Sequence, residues 1–397
     1  MSQNVGLSAD AAAALVDRDR LLDRLTAMVE TNSENPPGNE AAVAGIVAGW
    51  CKDMGLEVES HEAVAGRPSI VARASFAEGP VVGYCSHIDT VPVGDPEDWS
   101  RPPLSAEIAH GKLWGRGACD AKGPIAAALE AVEILRAGGV SMDGTLELEL
   151  VCDEETMGFQ GAGHLLEQGL ISPRAVVVGE PTSLRLVTAQ RGACWLRLTA
   201  RGSAAHGSAP ERGVNAILHM AEILRHVPET LPERSHRVLG GASVNVGTIT
   251  GGAKINMVAA SCVAEIDRRT IPGETAEGVV AGIEQAIERA RDRFPDIDAR
   301  VEISFFARPF EIDERARIVS EVSEALTEAN GRPVELMGFR GASDARFFAD
   351  AGVEVVVCGP GDIALAHTAR EHIDLEELER AAVAYSLAFA RLLAPGG

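Results

Sequence analysis

The chain has 397 residues, 46% of them hydrophobic, which is ample for more than one core and predicts two domains. It carries 36 basic and 58 acidic residues, and the resulting net charge of −22 disfavours binding to nucleic acid or to an anionic membrane surface. No apolar run reaches transmembrane length, and the N-terminal residues show no basic region followed by an apolar stretch, so a cytoplasmic protein is expected.

The first part of the chain alternates between helical and strand-like patterns. Apolar residues at helical spacing over 8–31 predict a helix, which the Asn-Pro-Pro-Gly sequence at 35–38 ends. The run 81–86 is apolar and strand-like, and 123–137 again shows helical spacing. Alternation of this kind is typical of an α/β domain with a wound, mostly parallel sheet.

The order of elements changes from about residue 188. The predicted elements are a strand over 194–200, a helix over 214–226, strands over 243–250 and 261–269, a helix over 276–294 and a strand over 300–306. This β-α-β-β-α-β order predicts an inserted α+β domain of the split βαβ, ferredoxin-like type over 188–306. The first pattern returns with a helix over 316–330 and a strand over 353–358, so 1–187 and 307–397 are expected to form one discontinuous α/β domain.

Histidine and carboxylate residues follow several of the apolar runs or lie in glycine-rich turns. They are His87, Asp89, Asp120, Glu154, Glu155, Glu180 and His367. Since open α/β sheets bind ligands beyond the carboxyl ends of their strands, these side chains are expected to converge. Imidazole and carboxylate ligands without thiolate suit zinc, and also cobalt or manganese. Two such ions sharing a carboxylate could serve the hydrolysis of an amide.

Short spacings within this set suggest separate duties. Residues two apart in a strand point the same way, so Asp89 can orient the imidazole of His87. In the pair Glu154 and Glu155, one carboxylate can bind metal while the other stays free as a general base. Each motif alone is explained as well by a helix cap or a solvent-facing carboxylate. Their order within one β/α domain favours a metal site.

The seven cysteines are widely spaced and odd in number, which predicts reduced thiols rather than a disulfide framework. Cys85, Cys119, Cys152 and Cys358 lie beside the candidate site residues. A cysteine in an apolar strand is usually a small buried hydrophobic residue, and that interpretation is favoured over a thiolate ligand or nucleophile.

At these residues the sequence resembles the acetylornithine deacetylase and succinyl-diaminopimelate desuccinylase family of dizinc amidohydrolases, which includes aminoacylases and a glutamate carboxypeptidase. The matching stretches run through nearly the whole chain, at 86–92, 115–123, 153–155, 179–182, 205–206, 213–217, 344–346 and 359–361 ahead of His367. The resemblance implies the same architecture, with the inserted domain serving as a dimerisation or lid domain.

The resemblance also implies a ligand set for two metal ions. One ion takes His87, Asp120 and Glu180, and the other takes Asp120, Glu155 and His367, so that Asp120 bridges the two. Zinc is the implied metal.

Two further catalytic roles are implied by the resemblance. Glu154 matches the general base that deprotonates the attacking water and passes the proton to the leaving amine. His206, in the inserted domain, is implied to reach the site of a partner subunit and to stabilise the oxyanion. A homodimer through the inserted domain follows from this role.

Substrate contacts are implied at Asn256, Arg269, Gly359 and Gly361. An arginine suits this role because its planar fork can bind a carboxylate through two hydrogen bonds. A surface ion pair is the alternative for Arg269, and the neighbouring Arg268 could take the substrate-binding role instead.

The expected activity is therefore that of an acetylornithine deacetylase-like enzyme, which hydrolyses the amide of a small N-acyl-L-amino acid. An exopeptidase acting on dipeptides or on C-terminal glutamate is one alternative. The other is a ligand-binding relative that has lost catalysis, which predicts a damaged base or ligand. None of the matched ligand and base positions is damaged.

Overall fold

A computed structural model describes residues 7–395, which form two compact units. The first unit runs to Thr188 and continues with Ile312–Met337 and the segment from Ser343. The second comprises Ala189–Glu311 and Gly338–Ala342, whereas the sequence prediction ended the inserted domain at 306.

Helices and strands alternate in the first unit, as in an α/β fold. Up to its boundary the elements are α1 (Ala9–Leu15), α2 (Arg18–Glu30), α3 (Ala41–Asp53), β1 (Glu57–Glu62), β2 (Pro68–Ser75), β3 (Val81–His87), β4 (Glu107–Ala109), β5 (Lys112–Trp114), α4 (Lys122–Ala137), β6 (Thr145–Val151), α5 (Ala162–Glu167), β7 (Ala175–Val178) and β8 (Leu186–Gln190), whose last two residues belong to the second unit.

The second unit follows the predicted β-α-β-β-α-β order. Its elements are β9 (Gly192–Arg201), α6 (Ala216–His226), β10 (Ser235–His236), β11 (Gly240–Gly241), β12 (Ser243–Gly251), β13 (Ser261–Thr270), α7 (Ala276–Arg291), β14 (Asp298–Ala307) and β15 (Phe310–Glu311). The chain then returns to the first unit with α8 (Arg317–Asn330), β16 (Leu336–Phe339), whose last two residues belong to the second unit, α9 (Ala345–Asp350), β17 (Glu354–Val357), β18 (His372–Asp374) and α10 (Leu375–Leu392).

The large sheet of the first unit has the strand order β1-β2-β6-β3-β7-β17-β8. Its four central strands, β6, β3, β7 and β17, are parallel to one another, and antiparallel strands flank them on both sides. Because the central strands are parallel, their carboxyl ends share one edge of the sheet. The segments that carry the candidate site residues therefore begin at that edge.

Apolar side chains bury one face of this sheet against α4 and α10. Helix α4 is buried along nearly its whole length, including Ile125 and Leu129, as its apolar spacing predicted. Tyr84 of β3 meets Tyr385 and Phe389 of α10 with ring centroids 5.2 and 6.0 Å apart. Edge-to-face contacts of this kind are the favoured aromatic geometry.

The single helix predicted over 8–31 is wrong, because the chain breaks between α1 and α2. Asp17 caps α2 by accepting a hydrogen bond from the backbone N–H of Arg20. The N–H of Asp17 in turn donates to the buried carboxylate of Glu130 on α4, at 2.8 Å. An N-cap and a buried acceptor thus outweigh the continuous helical spacing.

In the second unit the four long strands form an antiparallel sheet in the order β12-β13-β9-β14. This order is that of the predicted split βαβ sandwich. Leu196, Leu198 and Ile266 on the sheet pack with Met220 of α6 and Ile283 of α7. Strand β12 is an edge of the sheet, and most of its residues are exposed.

All seven cysteines are free and buried, in agreement with the prediction of reduced thiols. Burial raises the pKa of Cys358 and of Cys152 to about 12, which opposes a thiolate role near neutral pH. None of the helices within residues 7–395 is long and apolar enough to cross a membrane.

Candidate metal centre

Asp120 lies between two imidazoles, one on each side of its carboxylate. Its Oδ1 is 3.1 Å from Nε2 of His87, and its Oδ2 is 3.3 Å from Nε2 of His367. His87 ends strand β3, Asp120 lies in the turn before α4, and His367 follows β17. The fold thus joins three segments that are far apart in sequence.

The remaining predicted ligands lie around the same two imidazoles, and Glu155 also has a carboxylate oxygen within 4.8 Å of a His87 ring nitrogen. Glu180, just after β7, has Oε1 4.0 Å from Nε2 of His87. Glu155, after β6, has Oε2 3.0 Å from Nε2 of His367. The donor atoms of His87, Glu154 and Glu180 all lie within 4.8 Å of one another, so Glu154 borders the same space.

Asp89 contacts His87 mainly through its backbone. Nδ1 of His87 lies 2.9 Å from the Asp89 carbonyl oxygen and 3.5 Å from the Asp89 carboxylate. That carboxylate instead accepts hydrogen bonds from the backbone N–H groups of Glu154 and Glu155, at 3.2 Å each, and from Asn35 at 2.8 Å. Asp89 therefore ties the end of β3 to the turn that carries the paired glutamates.

An arginine whose side chain is 11% exposed holds the other side of that turn. Arg67 donates to Asp153 Oδ1 at 3.0 Å and to Gln160 Oε1 at 2.8 Å. Asp153 itself has φ +73°, a conformation that aspartate tolerates better than most residues. The backbone reverses there, and the Glu154–Thr156 turn follows directly.

The site is rich in negative charge. Loss of hydration raises the pKa of Glu154 well above its usual range, and the carboxylates of Glu180 and Asp344 add to this. Burial likewise raises the pKa of Glu180. Hydrogen bonding to Asp120 and then to Glu155 raises the pKa of His367 to about 10. Carboxylates that crowd one another in this way are stabilised by a cation placed between them.

The donor set suits divalent metal ions. Two imidazole nitrogens and three carboxylates converge, and a shared carboxylate lies between two groups of donors. Imidazole and carboxylate donors suit zinc, cobalt and manganese. The buried thiols of Cys85 and Cys119 are strongly disfavoured as thiolates, because loss of hydration raises the pKa of each well above its usual value.

His206 and Asn256 lie in adjacent loops of the second unit. The N–H of Gly207 donates to the Asn256 carbonyl at 2.8 Å, and both predicted residues are exposed. Nδ1 of His206 accepts a hydrogen bond from the N–H of Ser208 at 3.1 Å. The neutral ring then carries its proton on Nε2, which can donate to a ligand.

The structure separates the two neighbouring arginines of β13. Arg268 is buried and pairs with Glu274 at 2.5 Å, so its guanidinium is held inside the fold by that ion pair. Arg269 is partly exposed and pairs with Asp267 at 3.0 Å. Of the two, Arg269 alone has the exposure that contact with a substrate requires. Its substrate-binding role stays a prediction.

Gly359 and Gly361 lie in a turn that packs closely against neighbouring segments. A Cβ on Gly359 would lie 2.5 Å from the Glu180 carbonyl oxygen, and one on Gly361 would lie 2.6 Å from Cβ of Cys119. The two N–H groups already donate, to Thr182 and to Glu377 respectively. Close packing accounts for both glycines, and carboxylate binding there stays a prediction.

Sequence reasoning missed the residues that support the ligands. Asn35, Arg67 and Glu371 contact the ligand-bearing segments. Asn35 was interpreted only as part of the sequence that ends a helix, and Arg67 and Glu371 stand in stretches without a distinctive pattern. Asp344 lay in a matched stretch but received no role, and burial raises its pKa to about 7. A buried carboxylate beside a metal site would have identified Asp344 as a functional candidate, but the sequence does not show which carboxylates are buried.

Residues 83–391 match the family described as peptidase family M20/M25/M40. Acetylornithine deacetylase of Aliivibrio salmonicida is 30% identical over 352 residues, which are 86% of this chain and 89% of that protein. The structure of aminopeptidase PepT from Bacillus cereus has a TM-score of 0.80 at 24% identity, with coverage of 95% of this chain and 99% of that one. The Bacillus subtilis YXEP protein, a dinuclear metal binding peptidase from the M20 family, has a TM-score of 0.76 at 15% identity, with coverage of 95% and 98%.

Proposed function

Because the chain belongs to peptidase family M20/M25/M40, and is therefore a metal-dependent hydrolase of amide bonds, we propose that it removes an acyl group from a small N-acyl-L-amino acid. The products are a carboxylate and the free amino acid. The family resemblance inferred from the sequence is confirmed by the same comparisons. The likeness to acetylornithine deacetylases supports the deacylase activity over the exopeptidase alternative.

One observation carries the proposal. The two oxygens of Asp120 face different imidazoles, His87 at 3.1 Å and His367 at 3.3 Å, and Glu180 and Glu155 lie on the corresponding sides. Asp120 would suit a carboxylate shared between two metal ions, with His87 and Glu180 holding one ion and His367 and Glu155 the other. We propose zinc as the metal, with cobalt or manganese as alternatives.

When bound, the two ions supply Lewis acidity to the scissile carbonyl and to the attacking water. Glu154 borders the same space as His87 and Glu180 but is not needed as a ligand, so its carboxylate can accept the proton of that water. As a carboxylic acid it can then protonate the leaving amine. Asp89 holds the backbone of Glu154 and so fixes where this proton acceptor stands.

His206 is proposed to donate from Nε2 to the developing oxyanion in the site of a second copy of the chain. Exposure of the ring and the acceptor role of Nδ1 support this assignment. The proposed homodimer forms along β12. Ile249 on that edge strand and Leu218 on α6 are 53% and 54% exposed, and Ile217 lies beside the end of β12, so this edge offers exposed apolar side chains to a partner.

The substrate's carboxylate is proposed to bind to Arg269, with Asn256 offering a side-chain amide. Arg269 would exchange its partner Asp267 for the substrate. We place the enzyme in the cytoplasm, where its seven free thiols would stay reduced.

The test is free-amine release by zinc-loaded protein across N-acetyl, N-succinyl and N-formyl amino acids, with dipeptides and acyl-glutamates in parallel. Preferential cleavage of an N-acyl amino acid is the expected result. Cleavage of dipeptides alone would replace the deacylase with an exopeptidase. Inactivity on every substrate, with two metal ions bound, would favour the non-catalytic relative.

A further inference from the structure

Glu371 is a fully buried carboxylate with no part in the mechanism above. It follows His367 in the loop that leads into β18, and its side chain has no exposure to solvent. A buried carboxylate needs compensating donors, since an unpaired charge in the interior is strongly destabilising. The donors around Glu371 come from one segment of the chain.

That segment is the glycine-rich turn from Gly115 to Asp120. Oε1 of Glu371 accepts from the backbone N–H groups of Cys119 and Asp120, at 3.2 Å each. Oε2 accepts from Arg116 Nη1 at 2.5 Å. The N–H of Gly115 donates to the carbonyl of Glu371 at 3.2 Å. One side chain therefore spans the turn that presents Asp120.

Arg116 extends the network to the segment beyond Asp89. Its Nη2 donates to the Pro92 carbonyl at 3.4 Å, and its guanidinium lies 5.0 Å from the centroid of the Trp99 ring. Hydrogen bonds between ionised groups are the stronger ones in proteins, so the pair of Glu371 and Arg116 is suited to hold an irregular turn in one place.

We infer that Glu371 is a positioning residue. It holds Asp120 between His87 and His367 by accepting hydrogen bonds from the backbone N–H groups of Cys119 and Asp120. The inference rests on the proposed function, in which Asp120 is the shared metal ligand. Partners one step removed from a metal commonly set the orientation of its ligands, and their loss costs about 10- to 100-fold in metal affinity or activity.

Glu130 provides a matched control within the same unit. It is also fully buried, pairs with Arg20 at 2.7 Å and accepts from the backbone N–H of Asp17 at 2.8 Å. Within residues 7–395 its hydrogen bonds go to Asp17 and Arg20, neither of which is a proposed ligand. Glu130→Gln therefore removes the charge of a fully buried, arginine-paired carboxylate without touching the turn that carries Asp120.

The experiment compares full-length wild type, Glu371→Gln, Glu371→Ala and Glu130→Gln after removal of metal and titration with Co²⁺. Affinity is measured by competition with a chromophoric chelator, and the visible Co²⁺ spectrum reports ligand geometry. Steady-state kinetics follow on the loaded proteins. Thermal unfolding of the metal-free proteins records the loss of stability common to both sites.

Glu371→Gln is expected to weaken Co²⁺ binding about 10- to 100-fold, to change the Co²⁺ spectrum, and to lower kcat with little change in KM. Glu130→Gln should keep wild-type affinity and spectrum while losing comparable stability. Wild-type affinity and spectrum in Glu371→Gln would overturn the inference alone, as would equal losses in both glutamine variants. If Glu371→Ala does not fold, the Co²⁺ affinity and spectrum of Glu371→Gln, compared with wild type and Glu130→Gln, test the inference. A wild type that binds fewer than two Co²⁺ ions would overturn the proposed function, and the inference with it.

Discussion

Replacing Glu154 by glutamine is expected to abolish most turnover while leaving the metal site loaded. Glutamine keeps the size and shape of the side chain, and the backbone N–H of residue 154 still donates to Asp89 at 3.2 Å. What is lost is the ability to accept a proton beside His87 and Glu180. General-base catalysis contributes about 10²- to 10⁴-fold, which corresponds to roughly 3–5 kcal/mol of barrier.

The assay measures kcat and bound metal on the same preparation. The five proposed ligands are unchanged in Glu154→Gln, so two metal ions per chain are expected. Glu155→Gln is the contrasting variant, because it removes a donor 3.0 Å from Nε2 of His367 and should lose metal together with activity. A Glu154→Gln enzyme with both metals and a kcat within about tenfold of wild type would refute the role of Glu154 as base.

Four further outcomes are expected. His206→Ala should lower kcat by about 10²- to 10³-fold with metal content unchanged, and unaltered kinetics would remove the oxyanion role. Chelation should abolish activity and Zn²⁺, Co²⁺ or Mn²⁺ should restore it, whereas full activity in metal-free protein would contradict the proposed mechanism. Gly83→Ala should destabilise the fold by about 1–3 kcal/mol in denaturant unfolding, since the added Cβ would lie 2.7 Å from a Glu149 oxygen. Gly45→Ala should instead stabilise the fold by up to about 1 kcal/mol, because Gly45 lies within helix α3 and the added Cβ would have no atom within 4 Å. Burial lowers the pKa of His372 below 6.5, so the unfolded chain takes up a proton at this ring more readily than the folded protein does. The free energy of unfolding should therefore decline as the pH falls below about 6.5. This decline should be shallower in His372→Asn.

Much of the architecture follows from patterns that are local in sequence. Strand β3 is buried along its length, and its apolar run was legible because a strand covered on both faces carries no polar alternation. The change of element order near residue 188 could be read from the sequence for a different reason: strands covered on one face, such as β9 and β13, alternate between buried and more exposed residues. That order predicted the antiparallel sheet of the second unit. The break between α1 and α2 at Asp17 could not be predicted from the sequence, because the acceptor for the Asp17 N–H lies on Glu130, 113 positions away in the chain.

The candidate site shows the same division. The residue types and their places after strands or in glycine-rich turns predicted a converging set of side chains, since the carboxyl ends of parallel strands meet at one edge. The family resemblance then implied that His87, Asp120 and Glu155 are among the ligands. Only the tertiary structure showed that Asp89 holds the glutamate turn more closely than the imidazole of His87, and that Arg268 is committed to Glu274.

The sequence by itself determined the fold class, the family and the set of chemically capable side chains. Tertiary structure alone decided which oxygen faces which imidazole, and which buried charges support the ligands. Glu371 lies 251 positions from Asp120 in the chain, and the N–H to which it binds is 3.2 Å away. Periodicity records only which face of an element is apolar, so contacts between distant polar groups become visible only once the chain has folded.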